Sequence, residues 1–471
     1  MCLALLVAAC GGEQRASDDK ATVRLVGCHV PGASRPALCG VLEVPSNRAD
    51  PGAGTVPLRV VVFPAREQSH EPDPVFFLAG GPGQAATEAF PPQLGRFSKL
   101  QQERDIVLVD QRGTGASQPL DCPDEDPFED SFREGIFVEN AQRCLKKLRP
   151  RDLTNFGTPV AADDLDDVRK SLGYKKLNLI GGSYGTRLAL VYARRHPESL
   201  RTMVLDGVAP TPMTMPQYFA RDSRLALEAM LKACEADAGC KKLEPRTTLT
   251  KLLARHDEPQ TVEVRHPQTD VRASLTITRA VLVQSIRAVL YSPELSSLLP
   301  LALKQMDDGN YGPFIAQVYA IAGSVGEMLS LGLLLTIACT EDVQFVADEP
   351  GDTIFGDLFV REFRGACEGW PRAKLPAGYR EPVTSAVPTL LLSGALDPAT
   401  PPSWAELTAR SLDSSRHIIL PHAGHGTLVR GCVPSLVAQF IDGADAAALD
   451  DTCAGKIPGP PFFIDSAGPA Q

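Results

Sequence analysis

The chain has 471 residues, a formal net charge of −10, a charged fraction of 22% and a hydrophobic fraction of 44%. That length fits about two domains, or one domain with a large insertion. The acidic balance and the lack of any Lys/Arg-rich run exclude nucleic acid as an expected partner, and no apolar stretch of about 20 residues is present to span a membrane as a helix.

Cys2 to Cys10 reads Cys-Leu-Ala-Leu-Leu-Val-Ala-Ala-Cys and is followed by Gly11-Gly12. An apolar run closed by small residues marks the end of a secretion signal. Val7-Ala8-Ala9-Cys10 is similar to a bacterial lipobox, in which Cys10 is lipidated and becomes the new N-terminus. Residues 1–9 are therefore expected to be a signal-peptide remnant and 10–21 a polar tether, with membrane anchoring through Cys10. The run is short and lacks a basic flank, which leaves room for a start upstream of Met1. A plain signal peptide and an unprocessed tail are the alternatives.

The twelve cysteines agree with export. Apart from Cys2 and Cys10 they fall into neighbours: Cys28/Cys39, Cys122/Cys144, Cys234/Cys240, Cys339/Cys367 and Cys432/Cys453. Neither a Cys-x-x-Cys nor a His at zinc-finger spacing occurs, so no metal site is expected. Local disulfides in an oxidising compartment, periplasmic, envelope-bound or secreted, fit better. Connectivity stays open.

In chain order, Thr22 to Val26, Cys39 to Val44 and Val56 to Phe63 predict antiparallel strands with Pro and Gly at the turns. Pro74 to Leu78 predicts a buried strand that ends in Ala79-Gly80-Gly81-Pro82-Gly83. Asp105 to Val109 predicts another, running into Asp110-Gln111-Arg112-Gly113-Thr114-Gly115. Arg112 beside a glycine turn is either a phosphate ligand or, preferably, a structural partner of a carboxylate near the serine turn described next. Pro159 to Leu172 has helical period, with Asp163, Asp164, Asp166 and Asp167 expected on its solvated side.

Leu177 to Gly185 reads Leu-Asn-Leu-Ile-Gly-Gly-Ser-Tyr-Gly, with a helical pattern from Thr186. A Gly-x-Ser-x-Gly between a strand and a helix is the setting of a nucleophile elbow. It lifts the Ser183 hydroxyl above the sheet and aims the Tyr184 N–H at a developing oxyanion. The plainer alternative is an ordinary glycine-rich turn. Thr202 to Leu205 predicts the next strand, and alternation of strands and helices predicts a parallel sheet.

From Tyr218 to Gly323 the pattern is mainly helical, broken by strand-like Thr261–Val264 and Leu275–Ile277. Sheet patterns resume at Val387 to Leu392 and His417 to Leu420. The expected organisation is a hydrolase-type core over 22–212, a mainly helical cap over 213–382, the rest of the core over 383–445 and an extended tail over 446–471.

A serine hydroxyl needs a base to take its proton and an acid to orient that base. Asp397 follows one late strand, and His425 lies in Pro421-His422-Ala423-Gly424-His425-Gly426 after the next. Ser183, Asp397 and His425 then follow the Ser, Asp, His order of α/β-hydrolases. Asp206 is a rival acid, and His422 a rival base. Neither a dinucleotide nor a phosphate-loop motif stands in the right setting, so no cofactor is expected.

These motifs resemble the secreted prolyl iminopeptidase and tripeptidyl aminopeptidase family of α/β-hydrolases. Gly80-Gly81-Pro82-Gly83, Asp110 to Gly115, Gly181 to Gly185, Asp397-Pro398-Ala399-Thr400-Pro401 and Gly424-His425-Gly426 carry the likeness, which spans Leu25 to Phe440. The resemblance implies Ser183 as nucleophile, Asp397 as acid, His425 as base, and Gly81 with Tyr184 as oxyanion donors. It implies peptide substrates. One departure is Ala79, where prolyl iminopeptidases carry His, and this argues against strict proline specificity. An aminopeptidase also needs carboxylates for the substrate amine. Glu341, then Asp342, are the candidates, with a plain acidic helix end as the alternative. The expected function is an exported serine aminopeptidase. An esterase on the same triad is the second expectation, and a catalytically silent binding protein the third.

Overall fold

Uninterrupted Val, Ile, Leu and Phe runs become strands buried on both faces. β4 (Val75–Leu78), β5 (Ile106–Val109) and β10 (Thr389–Gly394) are fully buried, and β6 (Leu177–Gly182) and β7 (Leu200–Asp206) nearly so. The computed structural model describes residues 22–122, 127–326, 329–349 and 351–469. The signal-type segment, the tether and Cys10 lie outside the described residues.

With β1 (Val26–Cys28), β2 (Ala37–Pro45), β3 (Thr55–Phe63) and β11 (Ser415–Leu420), these strands form one nine-stranded sheet. Its order is β1-β2-β3-β5-β4-β6-β7-β10-β11. The pairs from β1 to β5 are antiparallel, and those from β5 to β11 are parallel. Alternate residues feed two cores. Val107 and Val109 face the helices Thr158–Ser171 and Tyr184–Arg195, while Ile106 and Leu108 face the side of helix Val433–Gly443.

The first expected strand starts late. Residues 22–25 are not strand, and the Val23 N–H instead donates to Ser171 Oγ at 2.8 Å. The solvated aspartates also need correction. Asp164 and Asp166 are buried. Asp164 takes a two-pronged bond from the buried Arg112, at 2.5 and 2.7 Å, and Arg112 donates also to the carbonyls of Pro45, Ser46 and Asn155. Asp166 accepts from Arg169, Lys170 and Tyr192. A helical pattern cannot show Arg112 or Tyr192, which reach it from the loop after β5 and from the next helix. Buried charges persist when paired in this way.

Between β7 and β10 the chain adds helices that include Phe219–Ala236, Arg279–Leu290, Leu331–Glu341 and Leu358–Ala366. It also adds an antiparallel hairpin of β8 (Gln260–Arg265) and β9 (Arg272–Ile277). Much of this insertion packs on its own apolar core, which holds Leu227, Leu282 and Phe314. Five disulfides join Cys28–Cys39, Cys122–Cys144, Cys234–Cys240, Cys339–Cys367 and Cys432–Cys453. The tail is not wholly extended, since Phe463–Asp465 pairs antiparallel with Gly468–Pro469. Among the described residues no helix is long and apolar enough to cross a membrane.

Candidate active site

Ser183 stands between β6 and the helix Tyr184–Arg195 at φ 53°, ψ −122°, a conformation that costs a non-glycine residue strain. A Cβ on Gly185 would lie 2.3 Å from the Leu78 carbonyl oxygen, and one on Gly181 2.5 Å from that of Gly185. Strand, turn and helix are therefore too close for any side chain at either glycine. The Ser183 hydroxyl does not cap its helix, unlike an ordinary N-terminal serine. Among the described residues it has no hydrogen-bond partner, a state common for nucleophiles before substrate arrives. Tyr184 is the first helical residue, so its N–H has no intrahelical acceptor. The glycine loop after β4 borders the serine, for a Cβ on Gly80 would lie 3.1 Å from Ser183 Cβ. Gly81, at φ 104°, abuts Leu329 from the helical insertion.

Asp397 follows β10 and is buried. One carboxylate oxygen accepts the N–H groups of Ala399 and Thr400 at 2.8 and 2.9 Å. The other accepts from Thr400 Oγ1 at 2.9 Å and meets His425 Nδ1 at 2.8 Å. Burial drives this carboxyl up, but the His425 charge and hydrogen bond and the Thr400 and Ala399 N–H groups hold it below its ordinary value. His425 moves oppositely. Burial lowers it, the charge and hydrogen bond of Asp397 and the charge of Asp206 raise it, and the net direction is up.

The rivals separate clearly. Asp206 does not bond the His425 ring. Its carboxylate instead holds the chain just beyond it, accepting from Thr427 N–H, Thr427 Oγ1 and Leu428 N–H at 2.7, 2.6 and 3.0 Å. The next residue, Gly207 at φ 66°, runs beneath the imidazole, where a Cβ would come within 3.3 Å of Cε1. His422 lies against Gly459 of the tail.

Glu341 and Asp342 are both 0% exposed and committed to internal partners. Glu341 accepts from Thr158 N–H at 2.7 Å, from Thr158 Oγ1 at 2.8 Å and from the Tyr379 hydroxyl. Asp342 pairs with Arg187 at 2.8 Å. Burial raises the Glu341 carboxyl, against the opposing effects of Arg187, Tyr379 and Thr158. Both residues expected at the substrate amine are thus buried, and among the described residues one Asp342 oxygen has no hydrogen-bond partner.

Three contacts were not expected. Thr400 Oγ1 lies 3.2 Å from His425 Nδ1 as well as bonding Asp397. The Tyr291 carbonyl accepts the His425 N–H at 3.1 Å, and its ring stands edge-on to the imidazole, centroids 5.2 Å apart. Arg287, one turn earlier on the same helix, lies over the Tyr291 ring. The Asp-Pro-Ala-Thr turn offered a signal for Thr400. Nothing local marks Tyr291 or Arg287, which come from the insertion.

This sheet, with Ser183 at a strained strand-to-helix turn and an Asp–His pair on the late loops, has the architecture of an α/β-hydrolase. A family model described as the alpha/beta hydrolase fold matches residues 73–431, and the chain belongs to that family. It is similar to the serine protease Hip1 of Mycobacterium tuberculosis, 29% identical over 465 residues that cover 88% of this chain and 87% of that one. It is similar also to the tripeptidyl aminopeptidase of Streptomyces lividans, 32% identical over 193 residues, 37% of this chain and 36% of that one. Among solved structures it is similar to the proline iminopeptidase of Mycobacterium smegmatis, at 17% identity and a TM-score of 0.44 over 87% of this chain and 100% of that one.

Proposed function

We propose that this chain is a serine peptidase that cleaves short units from the N-terminus of peptides through Ser183, His425 and Asp397. The observation that carries the reading is the 2.8 Å bond from His425 Nδ1 to Asp397, in loops that meet the strained Ser183 turn at Asp206 and Gly207. The names of the relatives, a serine protease and a tripeptidyl aminopeptidase, support the peptidase class. In this reading His425 Nε2 takes the Ser183 proton as Oγ attacks the scissile carbonyl. The N–H groups of Tyr184 and Gly81 receive the oxyanion. His425 then protonates the leaving amine, and water, activated by the same base, releases the acyl group. Asp397 holds the imidazole tautomer and stabilises its charged form.

Five disulfides support folding in an oxidising compartment, and export with lipidation at Cys10 belongs to the same proposal. The division into a core at 22–212 and 383–445, a cap at 213–382 and a tail at 446–471 is proposed with it.

An esterase reading has one observation in its favour. Glu341 gives its carboxylate to Thr158 and Tyr379, and Asp342 gives one oxygen to Arg187, so of that pair only the second Asp342 oxygen, itself buried, is left for a substrate amine. Matched peptide amides with free and blocked N-termini decide, with Ser183→Ala as control. Cleavage of the free-amine set alone, lost in the variant, supports an aminopeptidase. Equal cleavage of both sets overturns the exopeptidase assignment, and turnover of esters alone overturns the peptidase one.

A further inference from the structure

Arg287 carries a charge that the triad does not use. Its Cζ lies 4.3 Å from the ring centre of Phe219, 5.1 Å from that of Tyr291 and 5.2 Å from that of Phe359. Its Nε and Nη2 are shut off from solvent and have no hydrogen-bond partner among the described residues. The buried arginines do find carboxylates, while Arg287 is half-buried: Arg112 meets Asp164, Arg187 meets Asp342 and Arg104 meets Asp73. Buried guanidinium donors without acceptors are costly. Aromatic faces recover part of that cost through the flat side of the group, and they leave its in-plane Nε and Nη2 donors without an acceptor. That fork matches one ligand above others, a carboxylate held by two parallel bonds.

The location is specific. Tyr291 meets Arg287 with its ring face and the His425 imidazole in a T-shaped contact, the ring planes at 71°. Guanidinium and imidazole therefore share one aromatic wall, and the positive charge of Arg287 opposes protonation of His425.

We propose that Arg287 is a specificity-determining residue that binds a carboxylate carried by the substrate close to the scissile bond. Two sources share this chemistry: the C-terminal carboxylate of a short peptide, and an acidic side chain flanking the cleaved bond. The proposal rests on the serine-hydrolase reading above.

The test compares kcat and KM for short peptides as free acids and as C-terminal amides, and for Glu against Gln beside the cleaved bond. The carboxylate form is expected to gain about tenfold or more in kcat/KM, mainly through KM. Arg287→Gln erases the gain, so that charged and neutral forms are turned over alike, whereas Arg287→Lys keeps part of it. A gain confined to C-terminal acids assigns the chain terminus, and one confined to Glu assigns the side chain. Equal turnover of charged and neutral forms by the wild type overturns the proposal without any variant. So does an Arg287→Gln protein that slows every substrate alike. A second measurement does not require peptide turnover: fluorophosphonate labelling of Ser183 in the presence of glutarate. Protection in the wild type that vanishes in Arg287→Gln supports the proposal. Labelling without protection, or protection that persists in the variant, overturns it. A wild type that does not label fails the serine-hydrolase reading itself, and the proposal falls with it.

Discussion

The Ser183 N–H donates to the Asp206 carbonyl at 2.8 Å, while the Asp206 carboxylate grips the loop that carries His425. One residue at the end of β7 thus ties the serine turn to the histidine loop. Asp206→Asn exchanges a carboxylate that accepts three donors for an amide able to accept fewer, and brings its own NH₂ against them. The expected outcome is a loss of about 1–3 kcal/mol in denaturant unfolding. With it comes a fall in kcat larger than any change in KM, as the imidazole drifts from its place. Steady-state kinetics at a temperature where the variant is fully folded separate the two effects. An unchanged kcat there would dismiss the positioning role.

The acid limb of kcat/KM against pH should have its midpoint above the ordinary histidine value of about 6.5. Although burial lowers the His425 pKa, the Asp397 charge and hydrogen bond raise it further. A general base must be neutral, so activity disappears as pH falls through this raised value. Asp397→Asn should move the midpoint down and reduce kcat on the order of 10³- to 10⁴-fold. Stability follows the same signs. The raised His425 stabilises the fold below its ordinary value, and this is lost as pH rises through the raised one. The depressed Asp397 stabilises above its ordinary value, and this is lost as pH falls through the depressed one.

Two neighbouring glycines should behave differently. Gly185→Ala places a methyl against the Leu78 carbonyl and should prevent folding or cost more than about 3 kcal/mol with loss of activity. At Gly182 an added Cβ meets nothing within 4 Å, so Gly182→Ala should change stability by no more than about 0.5 kcal/mol. Thermal melts of the pair check the contrast, and equal effects would contradict the packing described for the turn.

Glu341→Gln should lower stability by about 1–3 kcal/mol, because Thr158 and Tyr379 lose their charged acceptor. Folded variant protein should keep its KM for free-amine peptides. A rise in KM restricted to unblocked substrates would restore Glu341 to amine recognition.

Much of the site was legible because a strand-to-turn signal is local. The β6 run, its glycines and the helix that follows place Ser183 without reference to the rest of the chain. The late strands place Asp397 and His425 in their turns by the same logic. The choice between Asp397 and Asp206 was different, since both follow strands, and only the orientation of two loops decides which carboxylate meets the ring. Glu341 shows what a linear reading leaves out. Its neighbourhood suggested an amine ligand or an acidic helix end, and only the fold brings Thr158 and Tyr379, distant in the chain, around it.

The sequence by itself determined the elements, their order and the residues with chemistry to offer, because hydrophobic period, glycine turns and strand ends depend on near neighbours. Tertiary structure alone decided the partners: Arg112 with Asp164, Asp206 with the histidine loop, and Arg287 across Tyr291 from His425, with Nε and Nη2 lacking an acceptor among the described residues. Those pairings depend on where a nine-stranded sheet and its helical insertion bring remote side chains together. Charge that looks solvated in a linear pattern becomes buried and paired only once the chain has closed around it.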